Sequence, residues 1–395
     1  MRSLALLLAP LVLVACSGTA PSATPGSDAV PGPTHTSPPV STPSAAAPSQ
    51  SLAVLVDFPT GTGPQSTGYD LALVAADGHV AARAHAAART FIGTTSGPGG
   101  AAAIELPEVS AANGRVYYLD GDRTVRYLTP AGSTGTFATI PGSSTAHAAF
   151  AVSPDGQHIA VSVLTYQGNS ATVSSLAIHD VTSGIQHDIA HPAPDLVWPV
   201  AWHGADLVLA TFSTAFSQQG LVLNPYGAAG YQVVNPTAAN RVATIGGPDF
   251  LSACQVTGLL VPAGTSCYHL AASHSASELW QLSWSGARSD TITVQRSSVT
   301  AALGPDQTSV AICCGDATAV ILARGQGNQT ATALKGNVDS WPCWLDTRHL
   351  LAGSVNDHQF QPSVLDLGSS RTTPVDAHGF CAAVLGSSGA SGEPM

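Results

Sequence analysis

The stretch Ala149-Phe150-Ala151-Val152-Ser153-Pro154-Asp155-Gly156-Gln157-His158-Ile159-Ala160-Val161-Ser162 decides the fold. A run of small and β-branched apolar residues reaches a tight turn at Ser153 to Gly156, and a second apolar run, Ile159 to Leu164, leaves in the opposite direction. Proline presets one turn dihedral, Asp155 can accept from the backbone just after it, and Gly156 tolerates positive φ. This is a β-hairpin.

The same hairpin recurs on both sides of it. Asn113-Gly114, His203-Gly204, Thr257-Gly258, Asp306-Gln307 and Asp346-Thr347 each lie at the end of an apolar run and before another. Counting from position 113, successive turns are 42, 48, 54, 49 and 40 residues apart. That is the period of a four-stranded propeller blade. Further short strands follow each hairpin, among them Val173 to His179, Tyr231 to Val234, Glu278 to Ser283, Ala319 to Ala323 and Ser363 to Leu367. The last apolar run, Gly379 to Leu385, has the character of an innermost strand with nothing after it. Near the start, Ser51 to Asp57, Tyr69 to Ala75 and His79 to Arg83 are three strands lacking an innermost partner. Joined, the two groups make a seventh blade. The expected fold is therefore all-β, a seven-bladed propeller over residues 51–386, closed by pairing the C-terminal strand with the N-terminal ones. A pair of β-sandwiches is the competing architecture, and the 40 to 54 residue period favours the propeller. Ala81 to Ala88 is alanine-rich enough for a turn or two of helix.

The hairpin with Ser153-Pro154-Asp155-Gly156 followed by Ile159-Ala160 resembles the repeat of WD40-like, TolB-like propellers of bacterial envelope proteins, and of the propeller domains of prolyl-oligopeptidase-like enzymes. Asn113, Gln307 and Thr347 depart from that pattern, which favours Asp or Gly. The resemblance implies the fold and is nearly silent on activity, because propellers host many functions.

Residues 1–15 have the form of a processing segment. Arg2 gives a positive start, Leu4 to Val14 an apolar core too short for a permanent span, and Leu13-Val14-Ala15-Cys16 the close. The segment resembles a bacterial lipoprotein signal with its lipobox. The resemblance implies lipidation of Cys16, with acyl chains such as palmitate, and a place on the extracytoplasmic side of a bacterial cell membrane. Residues 16–50 are almost entirely Ser, Thr, Pro, Ala and Gly, too poor in apolar surface to offset the entropy of ordering, and are expected to form a disordered tether. Residues 387–395 are expected to be a disordered tail.

Beyond Cys16, six cysteines remain: Cys254, Cys267, Cys313, Cys314, Cys343 and Cys381. An even number in an exported chain points to disulfides. Cys254 with Cys267 suits neighbouring strands of one blade. Cys343 and Cys381 hold equivalent places in adjacent innermost strands, although either could meet Cys313 or Cys314. No paired short Cys spacing suggests a structural zinc site, so no metal is expected.

Thirteen basic residues against twenty-four acidic ones give a net charge of −11, which argues against nucleic acid. No Gly-x-Ser-x-Gly elbow is present, and no α/β region follows the propeller, so serine hydrolase chemistry is not expected. No cofactor is implied. Acids near blade turns, such as Glu108, Asp195, Asp249, Asp339 and Asp376, are more commonly turn formers than catalysts. His147, His191, Asp195, Asp339, Asp376 and His378 share a position just before an innermost strand, where loops from several blades gather, and they mark a candidate ligand-binding mouth. Trp198, Trp202, Trp341, Trp344, Trp280 and Trp284 are expected mainly to pack between blades, with one or two available to stack on a ligand. The function expected is that of a surface-tethered, monomeric, non-enzymatic platform binding an envelope or extracellular protein or glycan. The alternative is an enzyme acting on an extracellular polymer, a lyase or glycoside hydrolase, with its site at the channel mouth.

Overall fold

A computed structural model of the chain describes residues 50–58, 67–90, 95–97, 100–102, 106–167, 170–189, 196–212, 230–238, 240–246, 255–261, 264–270, 277–294, 300–306, 309–313, 319–323, 329–332, 342–352 and 362–386. The described residues all lie in the unit Ser44–Met395. The leader and lipidation site, most of the tether, the tail and residues 213–229 lie outside them.

The described residues form an all-β ring of four-stranded antiparallel sheets, seven in number. Sheet one holds β1 (Leu52–Asp57), β2 (Gly68–Val74) and β3 (Val80–Ala87). A short hairpin, β4 (Thr95–Gly97) with β5 (Gly100–Ala102), precedes sheet two: β6 (Val109–Ala112), β7 (Arg115–Asp120), β8 (Thr124–Leu128) and β9 (Thr134–Thr139). Sheet three is β10 (Ala146–Val152), β11 (His158–Gln167), β12 (Ser170–Asp180) and β13 (Gln186–Asp188). Sheet four is β14 (Leu196–His203), β15 (Asp206–Phe212), β16 (Gly230–Asn235) and β17 (Asn240–Gly246). Sheet five is β18 (Gln255–Val261), β19 (Gly264–Leu270), β20 (Ser277–Leu282) and β21 (Arg288–Val294). Sheet six is β22 (Thr300–Leu303), β23 (Ser309–Cys313), β24 (Ala319–Ala323) and β25 (Gln329–Thr332). Sheet seven is β26 (Cys343–Trp344), β27 (His349–Ala352), β28 (Ser363–Asp366) and β29 (Arg371–Pro374). The final strand, β30 (Phe380–Leu385), then pairs antiparallel with β1, from Leu52 opposite Leu385 to Val56 opposite Phe380.

The Asp155 turn forms as its residues dictate. Gly156 has φ of 70°, its N–H donates to Ser153 O at 2.8 Å, and the Asp155 carboxylate accepts from the Gln157 N–H at 2.9 Å. In sheet two, where Asn113 stands at the position of Asp155, the turn is made differently. Asn113 and Gly114, with φ of 48° and 66°, make a two-residue turn between the paired Ala112 and Arg115, the arrangement for which Asn-Gly is favoured.

Two expectations are corrected. Ala81 to Ala88 is not helical, since β3 runs to Ala87 and pairs with β2 from Val80 to Ala87 with one irregularity at Ala81, and strand pairing overrides alanine's helix preference. Thr257-Gly258 is not the turn of sheet five. It lies within β18, beside an irregularity in the β18–β19 register, and the chain reverses only after Val261.

Alternation along β1 explains how the ring packs. Val54 and Val56 face sheet two, where they meet Val109, Val116 and Tyr118. Ala53 and Leu55 face sheet seven, where they meet Leu351, Val364 and Cys343. Inner strands are thus buried on both faces, whereas the outermost strands β9 and β13 are largely exposed. Two tryptophans latch neighbouring sheets in the same way. Trp202 Nε1 donates to Ala151 O at 3.2 Å and Trp344 Nε1 to Ala302 O at 3.0 Å, each reaching the innermost strand of the preceding sheet.

Of the pairings left open, Cys343 joins Cys381, linking β26 to β30. Cys267 is buried and disulfide-bonded. Cys254, Cys314 and the side chain of Cys313 lie outside the described residues. The Cys343–Cys381 bond spans 38 residues, enough for about 4 kcal/mol by the loop-entropy relation. Replacing both cysteines by alanine is expected to lower unfolding stability by roughly that amount, measured by urea denaturation, and reduction of the wild-type protein should cost more, because the Cys267 disulfide is broken too.

Candidate functional site

The seven innermost strands all begin at one end of the ring, by the repeat's own connectivity, and that end is the mouth. A cleft of about 450 Å³ opens there beside sheet one, lined by Asp57, Asp70, Arg83, His85 and His378 among others. Its charged row follows from strand register. Asp57 is paired with Asp70 and Asp70 with His85, so the three stand side by side across β1, β2 and β3. They continue the face on which Leu55 and Ala72 pack against sheet seven. Arg83, opposite Ala72, shares that face.

His85 Nδ1 lies 2.7 Å from Asp70 Oδ1, and both side chains are more than half exposed. Gly68 makes room for this imidazole, because a Cβ at that position would come within 2.9 Å of the His85 ring. The opposite wall is the loop from β29 to β30. Val375 and Ala377 are buried in the core shared with Cys343 and Cys381, which turns the alternate residues Asp376 and His378 outward. Gly379 ends the loop at φ of 110°, where a Cβ would collide with Val56 O. Arg83 donates to Asp376 O and lies 3.5 Å from the Asp376 carboxylate, tying β3 to this loop.

A second polar cluster is buried nearby in chain order but separate in position. His147, at the start of β10, is buried, with Nε2 2.7 Å from Thr90 O. Arg89 donates to Ala148 O at 3.0 Å, Leu106 O at 3.1 Å and Pro107 O at 2.8 Å, and lies 3.7 Å from Glu108. Tyr69 donates to Leu119 O, and burial, reinforced by Glu108, raises its phenol well above the ordinary range. Burial, and then the Arg89 charge, push the His147 imidazole down to about 4.

Of the expected mouth residues, His378 lines the cleft and Asp376 sits at its rim. His147 does not join them, because it points into the core beneath Thr90. His191, Asp195 and Asp339 lie outside the described residues. Asp57, Asp70, Arg83 and His85 escaped the sequence reading. The signal that finds them is two-residue spacing at the mouth ends of strands, and it becomes specific only once register is known. Among the described residues no group of three or more His, Cys, Asp or Glu is arranged to hold a metal ion. The tryptophans pack as expected: Trp198, Trp202, Trp284 and Trp344 are buried, and Arg288 covers Trp280 at 4.8 Å. Trp341 lies outside the described residues.

No protein-family model matches the sequence, and no curated protein matches it. Solved structures similar in fold include oligogalacturonate lyase in complex with manganese, at 11% identity and a TM-score of 0.49, covering 79% of this chain and 89% of that one. A chain of the mitotic checkpoint complex gives 18% identity and a TM-score of 0.45, covering 69% and 81%. TolB from Acinetobacter baumannii gives 9% identity and a TM-score of 0.37, covering 84% of this chain and 65% of TolB.

Exposed ion pairs of this kind contribute little to folding. Asp70→Asn and Arg83→Ala are therefore expected to leave the urea midpoint within experimental error of wild type, which makes them clean probes of the cleft.

Proposed function

We propose that this protein is a lipid-tethered propeller of the bacterial envelope that binds a polar extracellular ligand, a glycan ahead of a protein, at the mouth cleft. The observation that carries the reading is the mixed polar row of Asp57, Asp70, His85 and Arg83 on a closed, rigid ring. Carboxylates accept from hydroxyls, a guanidinium donates, and an imidazole does either, which together suit a polyol surface. The half-exposed state of these groups supports recognition, since acid–base catalysis gains from a site that excludes water. The WD40-like, TolB-like hairpin, the lipobox at Cys16 and the Ser/Thr/Pro tether support display outside the cell membrane.

One observation favours a second reading. The carboxylate-held imidazole of the Asp70–His85 pair could accept a proton from a polymer substrate, as a lyase or glycoside hydrolase requires.

Titration calorimetry of residues 51–386 with oligosaccharides from the cell wall should give saturable binding that Asp70→Asn with Arg83→Ala weakens at least ten-fold. Absence of binding, or binding unchanged in that variant, would contradict the cleft assignment. Time-dependent appearance of new reducing or unsaturated ends, lost in Asp70→Asn, would instead establish the enzyme. Separately, Cys16→Ser is expected to abolish incorporation of a palmitate analogue and to release the protein from the membrane fraction.

A further inference from the structure

We propose that the buried cluster of Arg89, Glu108 and His147 is an acid-sensitive clamp that holds the first three blades together at the mouth. The proposal is independent of what the cleft binds. Arg89 follows β3 of sheet one. Its guanidinium donates to the carbonyls of Leu106 and Pro107, which lead into sheet two, and to that of Ala148 in the innermost strand of sheet three. Its Glu108 partner also precedes sheet two, and both side chains are almost fully buried. One cation therefore touches three successive blades, and removing its contacts leaves several carbonyls without donors.

His147 completes the clamp from sheet three. With its ring nitrogen 2.7 Å from Thr90 O, a neutral imidazole donates through Nε2–H and holds the residue next to Arg89 in place. Thr90 is held from sheet two as well, its N–H and hydroxyl donating to Asp122 at 2.7 and 2.6 Å. The charged groups acting on His147 are Arg89, from the segment after β3, and Asp122, from the turn between β7 and β8, while β11 presents Leu164 at the paired position. Burial and the Arg89 charge together outweigh the Thr90 hydrogen bond and the Asp122 carboxylate, which act the other way, so a proton on His147 adds a second cation to a cluster that already buries a guanidinium.

The direction of the pH effect follows. The imidazole is lowered from 6.5 to about 4 in the closed clamp, chiefly by burial and then by Arg89. An opened clamp takes up its proton near 6.5, so stability is fully present above that value and declines as pH falls toward 4. By pH 4.5 the opening equilibrium rises roughly 70-fold. Below 4 this contribution levels off.

Hydrogen exchange of the intact protein, corrected for intrinsic rates and compared at pH 7 and pH 4.5, tests the clamp. Peptides covering 86–90, 106–110 and 146–150 should lose protection by tens of fold at pH 4.5, while those of β27 and β28 change much less. His147→Gln, whose amide can still donate to Thr90 O, should remove most of that difference. Equal acid sensitivity in wild type and His147→Gln, or loss spread evenly over all blades, would overturn the clamp. If the variant does not fold, NMR titration of the wild-type imidazole decides. A midpoint near 4 accompanied by the local loss of protection supports the clamp, and a midpoint of 6 to 7 contradicts it.

Discussion

The antiparallel pairing of β30 with β1 is the interaction on which the rest depends. Every other sheet is made from consecutive strands, so its hydrogen bonds form locally. Sheet one alone needs the two ends of the folded region to meet, across more than three hundred residues. Bringing those ends together has an entropic cost that grows slowly with length, and it is offset only when both faces of the closing strand are buried at once. Phe380 and Ala382 bury toward sheet two, whereas Cys381 and Val384 bury toward sheet seven. The disulfide from Cys381 to Cys343 fastens the same strand to its neighbour covalently. An unclosed ring would expose apolar faces and unpaired edges, the features that lead to aggregation.

Closure also creates the cleft. The loop that carries Asp376 and His378 exists at the mouth because the chain must cross from the outermost strand of sheet seven to the innermost strand of sheet one. Its buried Val375 and Ala377 share a core with the disulfide, and its outward residues face the row on β1 to β3. Fold and site are thus one arrangement at this junction. The Arg89 cluster serves the junctions between sheets one, two and three differently, with buried polar contacts supplementing apolar area. Burying an ion pair is weakly favourable at best, yet once formed it is costly to break on one side. Such a cluster specifies one arrangement of blades and makes that arrangement responsive to a proton.

Much of the fold was legible because turn chemistry is local. Asp155-Gly156 and Asn113-Gly114 announce their own geometry, and their spacing counts the blades. Closure was legible from the imbalance of strands at the two ends. Thr257-Gly258 misled because a glycine inside a strand at an irregular register reads like a turn. Ala81 to Ala88 misled because propensity is weak beside a pairing partner the sequence does not name. The cleft was only partly legible. Asp376 and His378 could be found from their position before an innermost strand, but His147 shared that position and turned inward, toward Arg89. What separates them is which side of the chain the core occupies, and that is fixed by packing. Asp57, Asp70 and His85 are unrelated in sequence and become neighbours through register alone.

The most direct measurement of ring closure compares two truncations by urea unfolding and dye binding, one ending at Gly386 and the other at Gly379. Closure by β30 predicts that the first keeps the wild-type midpoint and cooperativity. The second should lose the cooperative transition and bind a hydrophobic dye, because β1 then has an open edge and both adjoining cores lose a wall. A protein lacking residues 380–395 that unfolds with the wild-type midpoint and slope would contradict the closed ring.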